Sequence, residues 1–135
     1  MPRRALTLAL MAALAVAGCG TEDDRAQAAD VVGAFYAALE AGDGARACAQ
    51  LSAPAVEALE SQAGAPCAEA VTALDVRPGA LGATEVYVTN AKVDASSGES
   101  TFLSREADGW RISAAGCAPE DGKPADRPFA CEVEA

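Results

Sequence analysis

Apolar positions change their spacing twice along this chain, and each spacing predicts a different element. Behind Arg3 and Arg4, the run from Ala5 to Ala17 carries no charge at all. From Ala28 the pattern becomes periodic. Val31, Val32, Phe35, Tyr36 and Leu39 recur at three- and four-residue steps, one face of an amphipathic helix that Gly42 ends. Asp43 is placed to cap a short second helix, Ala45 to Leu51, that turns Cys48 inward. Ser52 ahead of Pro54 is a start signal for a third, with Val56 and Leu59 on its inner face. Gly64 and Pro66 interrupt it, and Cys67 to Leu74 reads as a further turn or two with Val71 and Leu74 buried.

The second half alternates, the period of strands. Asp75 to Pro78 reads as a first short strand. Thr84 to Asp94 places Val86 and Val88 on one face and a second inward set at Ala91 and Val93, which predicts a bulge or bend between them. Ser96-Ser97-Gly98 is a turn, and Ser100 to Glu106 a strand. Asp108-Gly109 signals a two-residue hairpin, after which Trp110, Ile112 and Ala114 face the core. Pro119 to Pro128 is a polar loop, and Phe129, Cys131 and Val133 alternate as a last strand. Helices followed by an antiparallel meander predict an α+β domain in which the sheet wraps the long first helix.

The uncharged run at the start is too short for a membrane span, which needs about 20 apolar residues. It stops at Val16-Ala17-Gly18-Cys19, small residues before a cysteine, and so reads as a lipoprotein signal peptide over 1–18. Cleavage before Cys19, diacylation of its thiol and acylation of its freed amine would give the two or more chains that stable anchoring requires. The expected organisation is then an acylated Cys19 with a flexible tether over 19–27 and one domain over 28–135. Its place is the extracytoplasmic face of the cell membrane, with the membrane itself as a partner through that lipid.

Charge narrows the partners. Removing 1–18 takes Arg3 and Arg4 and no acid, leaving 8 basic residues against 20 acidic ones and a net charge of −12. Such a surface repels nucleic acid and anionic headgroups, so neither is expected as a partner. Half the chain is apolar but aromatics are few, so a core of small aliphatics gains much from covalent closure. Cys48, Cys67, Cys117 and Cys131 are an even number for an oxidising compartment. Their order suggests Cys48 with Cys67 and Cys117 with Cys131, one of three connectivities. A four-thiolate zinc site is the competing use, disfavoured by the absence of both a Cys-x-x-Cys pair and histidine.

The stretch Val32-Gly33-Ala34-Phe35-Tyr36-Ala37-Ala38-Leu39-Glu40-Ala41-Gly42-Asp43, the later Ala47-Cys48, and Asp108-Gly109-Trp110-Arg111-Ile112 followed by Gly116-Cys117 resemble the nuclear-transport-factor-2-like (ketosteroid-isomerase-like) superfamily. More narrowly, they resemble small lipoproteins of high-GC, actinobacterial-type bacteria. The resemblance implies a cone-shaped α+β fold whose helices pack on a curved antiparallel sheet, closed here by two disulfides. It also implies a conical pocket, for which Phe35, Tyr36, Tyr87 and Trp110 are the candidate lining residues.

Enzymes of that superfamily place an acid or base in the cone. Without histidine, only a carboxylate such as Asp75, Glu85 or Asp94, or a tyrosine, remains for that role. None stands in a specific motif, and a solvated sheet face is the simpler account, so no catalytic residue is assigned. Arg105 and Arg111 beside the hairpin suit surface ion pairs better than an anionic ligand. Glu22-Asp23-Asp24 and Glu120-Asp121 lack calcium-loop spacing, and no phosphate loop or nucleophile elbow occurs, so no metal or cofactor is called for. The expected function is non-enzymatic binding of an envelope protein or a small apolar ligand. A small-molecule isomerase or cyclase on the same fold is the alternative.

Overall fold

The computed structural model describes residues 19–120 and 129–135. The segment read as a signal peptide and most of the proline-rich loop lie outside the described residues. The described chain is α+β: four helices, α1 (Cys19–Glu40), α2 (Gly44–Cys48), α3 (Ala53–Ala63) and α4 (Cys67–Ala70), precede an antiparallel sheet. A single 3₁₀ turn, Val71–Ala73, continues α4. The strands are β1 (Leu81–Tyr87), β2 (Asn90–Ala95), β3 (Ser100–Glu106), β4 (Gly109–Pro119), β5 (Phe129–Ala130) and β6 (Val133–Glu134). Their order is β1-β2-β3-β4-β5, with β6 also on β4. Among the described residues, no helix is long and apolar enough to cross a membrane.

The anticipated helix face is the one that packs. Val32, Phe35, Tyr36 and Ala38 of α1 are buried, joined by Ala28 one turn earlier. Each of the larger ones contributes about 1.5–3 kcal/mol by leaving water. They meet the inner face of the sheet, where Val93, Leu103, Trp110 and Ile112 are buried. The caps are also in place. Asp43 Oδ1 accepts from Arg46 N–H at 3.1 Å, Ser52 Oγ accepts from Ala55 N–H at 3.3 Å, and Gly64 ends α3 in the left-handed conformation.

Several expectations need correction. Residues 20–27 are no loose tether. They are the first turns of α1, with Glu22 in the first turn favourable to the helix dipole and Ala28 fully buried behind them. Asp75 to Pro78 is not a strand. Its backbone is held by side chains instead, Asp75 N–H by Glu132 Oε2 and Arg77 N–H by Glu99 Oε2. The bend expected inside 84–94 is a full reversal: Tyr87 pairs with Asn90, and Val88-Thr89 form a two-residue turn. The alternation hid it because Val88 adopts φ 45°, a conformation that β-branched residues rarely take. The next hairpin turns on Ala107-Asp108, one residue early, so that Gly109 pairs with Glu106 as the first residue of β4. The last strand is two pieces, since β5 pairs with the end of β4 and β6 with its middle, leaving Cys131 between them.

Both disulfides form as the chain order suggested, Cys48–Cys67 and Cys117–Cys131. Their sequence separations of 19 and 14 correspond to about 3 kcal/mol each in the chain-entropy description. The first clamps α2 to α4, where the backbones meet at closest approach: a Cβ on Gly44 would stand 1.8 Å from the Ala68 carbonyl oxygen. The second ties the β5–β6 segment to β4. The same edge of β4 is covered further along by the Gln50–Ser52 segment, because Ser52 N–H donates to Ile112 O at 2.8 Å and Ile112 N–H to Gln50 O at 2.9 Å. Strand β1 stands at the opposite edge.

These packing distances separate two glycines. Gly44→Ala should lower stability by about 3 kcal/mol, because backbone opposes the new methyl group. Gly33→Ala, whose Cβ would make an ordinary 3.8 Å contact with Leu81, should be neutral or stabilise by up to about 1 kcal/mol. Urea denaturation of the two variants with disulfides intact checks both.

Candidate functional site

Strand β3 and the residue before it supply the inner polar residues, because alternation puts Glu99, Thr101, Leu103 and Arg105 on the face that meets α1. At one end of α1, the Tyr36 and Thr101 hydroxyls share a hydrogen bond at 3.3 Å. Burial lifts the Tyr36 phenol above the usual tyrosine range; the bond to Thr101 opposes this, and the negative charge of Glu99 adds to it. Glu99 itself is only 3 % exposed, a buried carboxylate. Both its oxygens are taken by one residue, Oε1 by Arg77 Nε at 2.8 Å and Oε2 by Arg77 N–H at 3.0 Å. Arg77 closes the cluster from outside, with most of its own side chain in solvent.

At the other end of α1, Asp24 contacts the Arg105 guanidinium, which lies 4.5 Å over the Trp110 ring. That hydrogen bond is the main reason the Asp24 carboxyl lies below the usual aspartate range; partial burial opposes it, and the charge of Arg105 reinforces it. The indole Nε1 of Trp110 is buried with no acceptor in hydrogen-bonding geometry. Its dipole still faces Asp24 closely enough to help hold that carboxyl low.

Phe35, Tyr36 and Trp110 are therefore all buried at the helix–sheet interface, with the Phe35 and Tyr36 rings 6.1 Å apart. Tyr87 is not with them. It is 58 % exposed at the end of β1, beside the turn that reverses the chain. The carboxylates weighed from sequence lie elsewhere as well. Asp75 and Glu85 are exposed, and Asp94 accepts from Ser100 Oγ at 2.7 Å and pairs with Lys92, which also reaches Glu85. Arg111 pairs with Asp108 at 2.7 Å, and Arg105 with Asp24 rather than with Glu106. Cys19 is the first residue of α1. Among the described residues, no group of three His, Cys, Asp or Glu is arranged to hold a metal ion.

Glu99 and Thr101 escaped the sequence reading, although one signal was present. In the alternation that makes Leu103 inward, positions 99 and 101 must be inward too. No protein-family model matches this chain, and neither does any curated protein or solved structure. What the site can do must therefore be argued from its own groups. Those groups are a hydroxyl pair, a carboxylate held by arginine, and three aromatic rings buried at the helix–sheet interface.

Two outcomes follow from the ion pairs. Arg77→Ala should destabilise by about 1–3 kcal/mol by leaving Glu99 Oε1 without its charged partner while Oε2 keeps the backbone N–H, and Glu99→Gln by less, since the amide oxygen still accepts. Because the Asp24 carboxyl is lower in the folded chain than its ordinary 3.8, its contribution is fully present above that pH and is lost as pH falls below it. Asp24→Asn should therefore lower stability at neutral pH and flatten the decline below about pH 4, read from thermal melts across pH 2.5–7.

Proposed function

We propose that this chain is a lipid-anchored domain on the extracytoplasmic face of the cell membrane. It acts by binding an envelope protein or a small apolar ligand on a nuclear-transport-factor-2-like cone. The observation that carries the reading is the sequence Val16-Ala17-Gly18-Cys19 behind an uncharged run, with Cys19 at the very start of the helix that builds the core. Two closed disulfides suit an oxidising compartment. Helices ahead of an antiparallel sheet, with α1 against the inner face of that sheet, suit the cone. Binding is favoured over chemistry because the one buried carboxylate among the described residues has both oxygens held by Arg77. A general base needs an oxygen free to reach substrate.

The alternative, a small-molecule isomerase or cyclase, draws on the convergence of Tyr36, Thr101 and Glu99 under α1. In that reading Tyr36 is the proton donor, and Thr101 holds its hydroxyl in place through their hydrogen bond.

Cys19→Ser separates the anchored reading from a simply secreted chain. The native chain should pellet with membranes and yield an acylated N-terminal peptide by mass spectrometry, while the variant should move entirely to the soluble extracytoplasmic fraction. A variant that still pellets would overturn the anchor. A native mass spectrum of the chain extracted in mild detergent then reports on the cone: a retained small apolar molecule or a protein partner supports binding, and a bare acylated chain counts against it.

A further inference from the structure

Three chain segments meet at one end of the sheet. Arg105, near the end of β3, pairs with Asp24 of α1, and its own backbone N–H donates to Thr89 O at 2.8 Å in the β1–β2 turn. Helix α1 runs antiparallel to β3, since Asp24 meets Arg105 and Tyr36 meets Thr101. Followed back from Asp24, the helix therefore points past this end of the sheet. It reaches Cys19 after five residues, about 7.5 Å of rise. The turn beside it carries the two most exposed large apolar side chains among the described residues, Val88 at 88 % and Tyr87 at 58 %. Val88 occupies a left-handed conformation with φ 45°. For folding alone both features are unfavourable, as glycine or asparagine would hold the turn with less strain and no exposed isopropyl group.

From this convergence we infer that the Val88-Thr89 turn is a membrane contact. It sets Tyr87 and Val88 into the headgroup region of the bilayer alongside the acyl chains of Cys19, and so fixes which end of the domain faces the membrane. The inference rests on the lipid-anchor reading above and adds the orientation. Tyrosine is at home at that depth, with its ring among the acyl–glycerol groups and its hydroxyl in water. Electrostatic attraction is not the means. Of the cations at this end, Arg105 is engaged by Asp24 and Arg111 by Asp108, and the charge of Arg25 is outweighed by the exposed acids Glu22, Asp23 and Glu106. The acyl chains hold the protein, and the tip orients it. The Asp24–Arg105–Trp110 contacts make α1 and the turn move as one body.

The test uses the full acylated chain on phosphatidylcholine vesicles beside the soluble Cys19→Ser form. Its two tyrosines report without substitution, since Tyr36 is buried and Tyr87 exposed. Enzymatic iodination of Tyr87, read by peptide mass spectrometry, should fall by about fivefold or more on vesicles relative to the soluble form, with Tyr36 unreactive in both. As a second readout, a fluorophore on Val88→Cys should be quenched by lipid-borne quenchers about threefold more than one on Ser97→Cys. Ser97 lies at the far end of β2, about 20 Å away. Flotation with the vesicles but undiminished Tyr87 iodination and equal quenching would overturn the orientation while leaving the anchor standing. Failure to float would overturn both.

Discussion

The seating of α1 along the inner face of the sheet is the constraint on which the remaining structure depends. Apolar burial of Val32 and Phe35 against Leu103, Trp110 and Ile112 supplies the attraction, but such burial is non-directional and would tolerate a sliding helix. Two polar contacts, one near each end, remove that freedom: Asp24 with Arg105 and Tyr36 with Thr101. Both β3 partners lie on the same inward row, so the helix must lie along that strand and run against it. The β1–β2 turn is placed by the same arginine, through its backbone.

Covalent and steric closure compensates for a core built from small side chains. Alanines at 28, 38, 47, 55, 70, 91 and 115 are buried, and each removes little apolar area from water. Short side chains do allow backbones to approach, most closely where Gly44 meets Ala68, and the Cys48–Cys67 bridge holds that approach closed. This closeness partly restores the dispersion attraction that larger side chains would have supplied. On the far side of the sheet the Phe102 and Phe129 rings pack edge to face at 5.2 Å, next to the segment that Cys117–Cys131 secures.

The polar groups under α1 hold one another. Glu99 is buried but bound through both oxygens, and the Tyr36 phenol is raised by burial and by that neighbouring charge. Here the groups satisfy one another, which rigidifies the interface and gives the inner face a defined polar spot beside its rings.

Much of the helical half was legible in the chain, because its signals are local. A 3.6-residue rhythm at Val32, Phe35 and Tyr36, a serine before a proline at Ser52, and a glycine at Gly64 act within one or two turns of themselves. Inward alternation at Trp110 and Ile112 was legible for the same reason, and four cysteines in order foreshadowed their own pairing; Ala114, expected on the same face, is instead paired with Phe102 across a bulge, and Ala115 takes the core position. Local rules failed where distant groups intervened. Asp75 to Pro78 looks extended, yet its amides go to Glu132 and Glu99, carboxylates 57 and 22 residues away. Residues 20–27 look like a polar tether until Arg105 gives Asp24 a partner 81 positions along the chain. Val88 carries no turn signal, and only the pairing of Tyr87 with Asn90 forces the reversal there. The sequence by itself determined most of the elements and their faces, and it holds the cysteine proposed to carry a lipid, since each is written in neighbours a few residues apart. Only the tertiary structure decided that Glu99 is buried and bound, that Tyr87 is outside rather than in the core, and that the first turn of α1 and the β1–β2 turn share one end of the domain. Those outcomes depend on contacts between residues far apart in sequence, which no local pattern records.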